Sequence, residues 1–166
     1  MDKGRQRDKP RVVIDASVAA KWIIPGEPWE AQARILKEKI ASMEIESYAP
    51  LLLLYEVASV ILKSVSAGTL KLSDGIEALK AMEHLGLNIQ TISWSDLAEI
   101  LTIASKTKLT VYDAVYLHLS KRMRAKLITA DSKLKKRGKS VTATILLKDL
   151  ENELSLIHIS EPTRPY

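Results

Sequence analysis

The 166-residue chain contains no cysteine and no phenylalanine, and it has no long hydrophobic run. The absence of cysteine excludes disulfides, thiolate metal sites and cysteine nucleophiles, and it makes a reducing cytoplasm the expected location. The longest uncharged apolar stretch, Ala49 to Tyr55, ends at Glu56, well short of the ~20 residues that span a bilayer. A membrane role is therefore not expected.

The length fits one domain with its own hydrophobic core. Residues 1–10 are mostly polar and charged, so we expect a disordered arm or a remnant of cloning. Residues 155–166 contain two prolines and show no periodicity, which is typical of a vector-derived or read-through tail. Residues 11–154 should then form the folded domain.

Positive charge is concentrated in one segment near the C-terminus. The whole chain has 25 Lys and Arg against 20 Asp and Glu, a net charge of +5, which permits a polyanionic partner. We call residues 121–139 the basic segment, because Asp131 is its only acid and its cations are Lys121, Arg122, Arg124, Lys126, Lys133, Lys135, Lys136, Arg137 and Lys139. For any one of these side chains, a solvated surface position is the more ordinary explanation. With three Trp and five Tyr, base stacking is not evident from the sequence.

Apolar periodicity predicts strands that alternate with helices. The predicted strands are Val12–Ile14, Ile45–Tyr48, Asn88–Ile92, Ala125–Thr129 and Thr142–Leu146. The predicted helices run up to Trp22, from Pro28 to Met43, from Pro50 to Val65, from Ser73 to Gly86, after Ser93-Trp-Ser-Asp96, after Thr110-Val-Tyr-Asp113, and from Leu147 to Leu154. Such alternation implies right-handed crossovers and a three-layer α/β/α sandwich around a parallel sheet.

Four acids occupy positions at which a parallel sheet could form a functional site. Asp15 and Asp131 directly follow predicted strands, and the carboxyl ends of parallel strands are where such folds bind ligands. Glu56 is the only charge from Leu51 to Leu62, and Asp113 is the acid of a capping-box pattern. Each has an ordinary alternative explanation, as a helix cap or as part of a solvent-facing stripe.

Taken together, the four acids suit a hard divalent cation. Mg²⁺ and Mn²⁺ prefer carboxylate and water oxygens, and a cation relieves the repulsion between crowded carboxylates. His84 and His118 lie in helical patterns without ligand-like spacing, so zinc is not expected. Those histidines are interpreted as surface or packing residues.

The acids stand in motifs that resemble those of the PIN-domain ribonucleases, particularly the VapC-type toxins of prokaryotic toxin–antitoxin pairs. The motifs are Val-Ile-Asp15-Ala-Ser17, Tyr-Glu56-Val-Ala after Pro50, Thr110-Val-Tyr-Asp113-Ala-Val-Tyr-Leu, and Leu-Ile-Thr129-Ala-Asp131, spread over about residues 11–150. The resemblance implies a Rossmann-like parallel sheet and an Mg²⁺- or Mn²⁺-dependent endoribonuclease that acts on single-stranded RNA.

The same resemblance assigns roles to individual residues and implies partners. Its catalytic and metal-binding acids would be Asp15, Glu56, Asp113 and Asp131, with Ser17 and Thr129 as hydrogen-bonding hydroxyls beside them. Cations of the basic segment, Lys121 to Arg137, would contact RNA phosphates. A small cognate antitoxin and a homodimer are also implied. One departure is Ser59, where such toxins often carry Asn.

Three alternatives remain at this stage. The chain could be a PIN-type RNA-processing nuclease outside a toxin pair, or an inert PIN-like module that binds RNA or protein. It could also be a metal-dependent phosphatase. Phosphatases with an aspartyl nucleophile need a second acid two residues after the first, and Ser17 stands at that position relative to Asp15, which argues against the third alternative.

Overall fold

The sheet contains five parallel strands, all of them close to the predicted segments. A computed structural model describes residues 8–153, so the predicted tail with His158 and most of the predicted arm lie outside the described residues. The strands are β1 (Arg11–Ile14), β2 (Glu46–Pro50), β3 (Asn88–Gln90), β4 (Lys126–Thr129) and β5 (Thr144–Leu146). Their order across the sheet is β3-β2-β1-β4-β5, and every pair is parallel.

Helices form the connections between the strands, which confirms the predicted three-layer α/β/α class. They are α1 (Ala16–Ala19), α2 (Glu30–Ala41), α3 (Leu52–Ser66), α4 (Leu72–Glu83), α5 (Leu97–Thr107), α6 (Val111–Met123) and α7 (Ser132–Gly138). Short 3₁₀ turns occupy Ala20–Trp22, Trp94–Asp96 and Leu147–Asp149. No helix within residues 8–153 is long and apolar enough to cross a membrane.

The core lies around the two central strands and α6. Val12, Val13 and Ile14 of β1 are fully buried, as expected for a strand covered on both faces of a parallel sheet. Every residue from Ala114 to Ser120 in α6 is buried, because this helix packs against β1, β2, β4 and α5 at once. A helix enclosed on all sides need not be amphipathic.

The predicted boundary between β2 and α3 was wrong. Pro50 is the last residue of β2 rather than the first turn of α3, which begins at Leu52. The register of β2 with β1 ends at Tyr48, so the missing N–H of Pro50 falls beyond that pairing. The predicted closing helix does start at Leu147, as a 3₁₀ turn that continues into α-helix from Leu150. Gly68 does follow α3 as predicted, with φ +75°, the conformation that ends many helices.

The strand order creates a crevice between β1 and β4. The chain adds β2 and β3 on one side of β1, then returns to add β4 and β5 on the other side. In such sheets the carboxyl ends of the two strands at the reversal diverge into a crevice where ligands bind. Asp15 follows β1 and Ala130 follows β4 at this edge, so the topology places both predicted strand-end motifs at the crevice.

Candidate active site

Asp15 lies buried at the end of β1 and does not serve as a side-chain cap. Only 6% of the residue is exposed, and Asp15 occupies the N-cap position of α1 without a side-chain capping hydrogen bond. The carboxylate instead accepts two short hydrogen bonds at Oδ2, from Ser17 Oγ at 2.6 Å and from Thr129 Oγ1 at 2.7 Å. Its backbone N–H donates to the carbonyl of Ile128 at 3.0 Å. The alternative explanation of Asp15 as a simple helix cap therefore does not fit this geometry.

The two hydroxyls also fasten the loop that follows β4. Ser17 Oγ accepts the backbone N–H of Ala130 at 3.0 Å, and Thr129 Oγ1 accepts that of Asp131 at 3.0 Å. Each hydroxyl thus accepts from the main chain while it donates its proton to Asp15. Because a hydroxyl has one proton to give, this arrangement directs both protons at the carboxylate.

Burial raises the pKa of Asp15 above its ordinary value. The hydrogen bonds from Ser17 and Thr129 lower the pKa and partly offset this effect, while the charge of Asp113 raises it further. When the Asp15 carboxylate is ionised, its negative charge is therefore not fully compensated by solvent or by a neighbouring cation.

Glu56 is the second acid at this edge, and α3 carries it half-buried. Burial raises its pKa, and the charges of Asp15 and Asp113 raise it further. The buried hydroxyl of Tyr116 donates to Glu56 Oε1 at 3.2 Å and lowers the pKa of the carboxyl. Burial and the nearby carboxylates in turn hold the pKa of Tyr116 well above its usual range, so this phenol stays a donor.

Asp113 completes a group of three acids from three different elements. It lies in the first turn of α6, where its backbone N–H donates to Thr110 Oγ1 at 3.1 Å. Within residues 8–153 its carboxylate makes no hydrogen bond or ion pair in return, unlike Asp96, whose carboxylate closes a complete capping box with Ser93. The negative charge of Asp113 is therefore available to raise the pKa of Asp15 and of Glu56.

The structure does not bring the fourth predicted acid into this group. Asp131 is exposed, and its Oδ1 accepts the N–H groups of Lys133 at 2.8 Å and Leu134 at 3.3 Å. It therefore caps α7, its ordinary alternative explanation. The acids that raise the pKa of Glu56 are Asp15 and Asp113, and Asp131 is not among them. A catalytic or ligand role for Asp131 remains a prediction.

The carboxylate oxygens of the three acids suit a hard cation, although the three side chains do not form a closed coordination shell. Between residues 8 and 153 no group of three or more His, Asp or Glu side chains has the arrangement of a formed metal site. Over the same residues no Lys or Arg pairs with Asp15, Glu56 or Asp113. Asp113 raises the pKa of both Asp15 and Glu56, and Asp15 raises that of Glu56. Mg²⁺ keeps several waters when it binds one or two protein carboxylates, so an oxygen-only, incompletely closed set fits such an ion.

The basic segment divides between the two edges of the sheet. Lys121 pairs with Glu99 at 2.7 Å and Arg122 with Asp96 at 3.4 Å, and both lie some eight residues, or ~12 Å, along α6 from Asp113. Arg124 and Lys126 lie where β4 begins, at the edge opposite the acids.

The later cations of the basic segment are on α7, which starts at the carboxyl edge of the sheet. There Arg137 donates to the Lys108 carbonyl at 2.7 Å. Within the described part of the chain Lys133, Lys135 and Lys136 form no ion pair. Of the predicted RNA contacts, these three lysines have the most suitable positions.

His118 belongs to the same cluster of charged side chains as the first two cations of the basic segment. It is buried in α6, with Nε2 at 3.2 Å from Asp96 Oδ1 and Nδ1 at 3.1 Å from Glu99 Oε2. The second contact is not aligned as a hydrogen bond. Lys121 and Arg122 bind the same two acids, so this cluster ties α5 to α6. His118 is thus the packing residue that the sequence suggested.

Sequence reasoning missed four residues near the acids. In the sequence Tyr116 falls among the apolar residues of α6 and was given no role, although its position three residues after Asp113 is a signal that the two share a helix face. Tyr55, Tyr112 and Lys63 line a groove of about 550 Å³ whose wall includes Ser17 and Glu56. The two tyrosines stand inside the quoted motifs, and Lys63 stands outside them, but no role was assigned to any of the three, because their common location depends on how α3 and α6 approach α1.

Comparison with known proteins is consistent with this geometry. The family model described as PIN domain matches residues 12–140. Ribonuclease VapC3 from Pyrobaculum aerophilum is 30% identical over 125 residues, which cover 75% of this chain and 92% of that protein.

Solved structures share the fold at lower identity. The crystal structure of PAE2754 from Pyrobaculum aerophilum has a TM-score of 0.65 and 20% identity, covering 89% of this chain and 96% of that one. A toxin–antitoxin complex from Klebsiella pneumoniae has a TM-score of 0.56 and 16% identity, covering 82% of this chain and 97% of that one. At these identities the likeness concerns the fold.

Proposed function

The chain belongs to the PIN-domain family, and on that premise we propose that it is a divalent-metal-dependent endoribonuclease that cleaves single-stranded RNA. The observation that carries the proposal is the grouping of Asp15, Glu56 and Asp113 at the crevice between β1 and β4. There Asp113 raises the pKa of Asp15 and of Glu56, Asp15 raises that of Glu56, and within residues 8–153 no Lys or Arg pairs with any of the three. The ribonuclease relative with 30% identity supports the same reaction class.

Asp15, Glu56 and Asp113 would hold an Mg²⁺ or Mn²⁺ ion, directly or through water. When bound, such an ion makes a water more acidic and stabilises charge on phosphoryl oxygens. The chain's own contribution is to keep these carboxylates ionised and oriented. Ser17 and Thr129 do this for Asp15 through their 2.6 and 2.7 Å hydrogen bonds, and Tyr116 does it for Glu56. Asp131 would join this set only if its carboxylate left the start of α7.

The lysines of α7 would supply sequence-independent affinity for RNA. Lys133, Lys135 and Lys136 belong to a helix that begins directly after the carboxyl end of β4, and contacts to phosphate position a nucleic acid without selecting its sequence. Binding should consequently weaken steeply as salt rises. Lys121 and Arg122 are less suited to this role because they already pair with acids of the α5 region.

A toxin–antitoxin role is the proposed biological setting. One structural relative is a toxin–antitoxin complex, and the ribonuclease relative carries the VapC name. We therefore propose a small cognate antitoxin as a partner, with an Arg that pairs with these carboxylates, and a homodimer as the assembly. An RNA-processing role outside a toxin pair would use the same chemistry.

The test is cleavage of single-stranded RNA by purified protein in Mg²⁺, in Mn²⁺ and in EDTA. Wild type should cleave only with metal, and Asp15→Asn and Asp113→Asn should lose most of the activity. Asp74→Asn is a matched control, because Asp74 is an exposed acid in the first turn of α4, and it should cleave like wild type. Equal cleavage by wild type and both site variants would contradict the proposal, since a contaminating nuclease would then explain the activity. Metal binding without any cleavage would favour the inert module.

A further inference from the structure

Two exposed tyrosines flank the groove that leads away from the carboxylates. We call this groove, which includes Ser17, Tyr55, Glu56, Ser59, Lys63 and Tyr112 in its lining, the tyrosine groove. Its volume of about 550 Å³ lies within the usual range for small-molecule sites, ~300–1,000 Å³. Because Glu56 is one of the three acids and Ser17 donates a hydrogen bond to Asp15, the groove directly adjoins the acids.

The exposure of the two tyrosines is unusual for side chains of this size. Tyr55 is 67% exposed and Tyr112 is 64% exposed, whereas Tyr116, one helical turn beyond Tyr112, is fully buried. Each exposed tyrosine directly precedes one of the acids, Glu56 or Asp113, so one lies on α3 and the other on α6. Neither ring contributes to the core, and both leave aromatic surface open beside the acids.

Polar groups run along the same side of α3 from Glu56. Ser59 and Lys63 follow Glu56 at i+3 and i+7, so the three share a helix face, and all three line the groove. Lys63 lies ~10 Å from Glu56 along the helix axis. In the described range 8–153 it has no acidic partner, so its charge is free to meet a phosphate.

We propose that the tyrosine groove is a nucleotide subsite in which Tyr55 and Tyr112 stack against unpaired bases next to the scissile phosphate, while Lys63 pairs with a neighbouring phosphate. This inference rests on the proposed ribonuclease function and adds to it a reason for single-strand selectivity. Bases can stack on aromatic side chains only when they are splayed out of a duplex. Stacking of this kind tolerates any base, so the subsite would favour single strands without fixing their sequence.

A nucleotide fits these features better than a peptide segment does. The groove combines two open aromatic faces, an unpaired cation and two hydroxyls, and it is continuous with the acids at which a phosphodiester must lie. Aromatic platforms combined with cations that follow the backbone are the usual means of binding single-stranded nucleic acid.

Steady-state cleavage of a short single-stranded RNA tests the subsite in the full-length chain. Tyr55→Ala and Tyr112→Ala should each raise KM by roughly 5- to 150-fold, the range that removal of a stacking aromatic produces, with kcat less affected. Tyr55→Phe and Tyr112→Phe keep the stacking face and should restore KM. Trp94→Ala is the matched control, since Trp94 is 90% exposed on the 3₁₀ turn before α5 and should leave KM unchanged.

A binding measurement separates failure of this subsite from failure of the proposed function. The fluorescence of 2-aminopurine in a single-stranded RNA should be quenched when the RNA binds to wild type in EDTA. This quenching should be lost in Tyr55→Ala and Tyr112→Ala. The subsite would be contradicted if wild type cleaved RNA and both alanine variants kept the wild-type KM and the wild-type quenching. A protein segment would then be the better occupant of the groove. Absence of wild-type cleavage, with tyrosine-dependent quenching retained, would refute the ribonuclease function and leave the RNA-binding subsite supported.

Discussion

Replacing Thr129 with valine should change how the stability of the protein depends on pH. The substitution keeps the shape of the buried side chain and removes a 2.7 Å hydrogen bond to Asp15. A hydrogen bond to a charged group contributes ~1.5–3 kcal/mol, and one pKa unit corresponds to ~1.4 kcal/mol. The pKa of Asp15, which burial already raises, should therefore rise further when this bond is removed.

The raised pKa of Asp15 determines the sign of the effect on stability. An acid whose pKa is higher in the folded than in the unfolded state binds more protons when folded, so the free energy of unfolding decreases as pH rises through the window between the two values. In Thr129→Val this window extends to higher pH. Where Asp15 is protonated, the variant should lose ~0.5–1.5 kcal/mol, because Thr129 Oγ1 also accepts the N–H of Asp131. Where the carboxyl is ionised, it should be less stable by a further ~1.5–3 kcal/mol.

Denaturant unfolding in EDTA, from about pH 4 to about pH 8, measures this difference. Thr107→Val is the matched control, because Thr107 is also buried and also loses a 2.7 Å hydrogen bond, but to the backbone carbonyl of Ile103. Its cost should be ~0.5–1.5 kcal/mol at every pH. If Thr129→Val and Thr107→Val showed the same pH-independent cost, the claim that Thr129 acts on an ionised Asp15 would be refuted.

Three further predictions follow from contacts on α6 and α7. Tyr116→Phe removes a hydrogen bond that lowers the pKa of Glu56, so this pKa should rise in an NMR titration of the metal-free protein, and an unchanged value would mean that the bond is not formed in solution. Asp113→Asn removes a charge that raises the same pKa, so the same titration should show a shift of opposite sign, and a shift upward would contradict the grouping. Gly138→Ala places a Cβ at 2.7 Å from Leu117 Cδ2, and we expect a loss of ~1–3 kcal/mol in unfolding free energy from overpacking, whereas a more stable variant would show that Leu117 can move aside.

The α/β architecture could be predicted because its signals are local. Strands such as Val12–Ile14 are short β-branched runs, and helices such as α5 repeat apolar residues at helical spacing, so each element carries its own period. Pro50 was placed on the wrong side of a boundary because proline suits either a strand end or a helix start.

The candidate site could be predicted only in part, because it depends on strand order. Asp15 and Asp131 look alike in sequence, since each follows a strand. In the structure Asp15 is buried against two hydroxyls, whereas Asp131 turns to the free N–H groups at the start of α7. Thr129 occupies the side of β4 that faces Asp15, and no local pattern reveals which of two strand-end side chains will do so.

The positions of the tyrosines also could not be predicted from the sequence. Tyr112 and Tyr116 belong to one apolar stripe in the sequence, yet the first is exposed beside the groove and the second is buried with its hydroxyl on Glu56. The number of aromatic residues indicated little stacking capacity. Their placement, which depends on the packing of α3 against α1 and the approach of α6, indicates more.

Titration of the metal-free protein with Mn²⁺ tests most directly whether Asp15, Glu56 and Asp113 form one cation site. Wild type and Asp74→Asn should bind Mn²⁺ with the same affinity, while Asp15→Asn and Asp113→Asn should lose binding, because each removes a carboxylate that the others need. Equal binding of Mn²⁺ by wild type and Asp113→Asn would contradict the account.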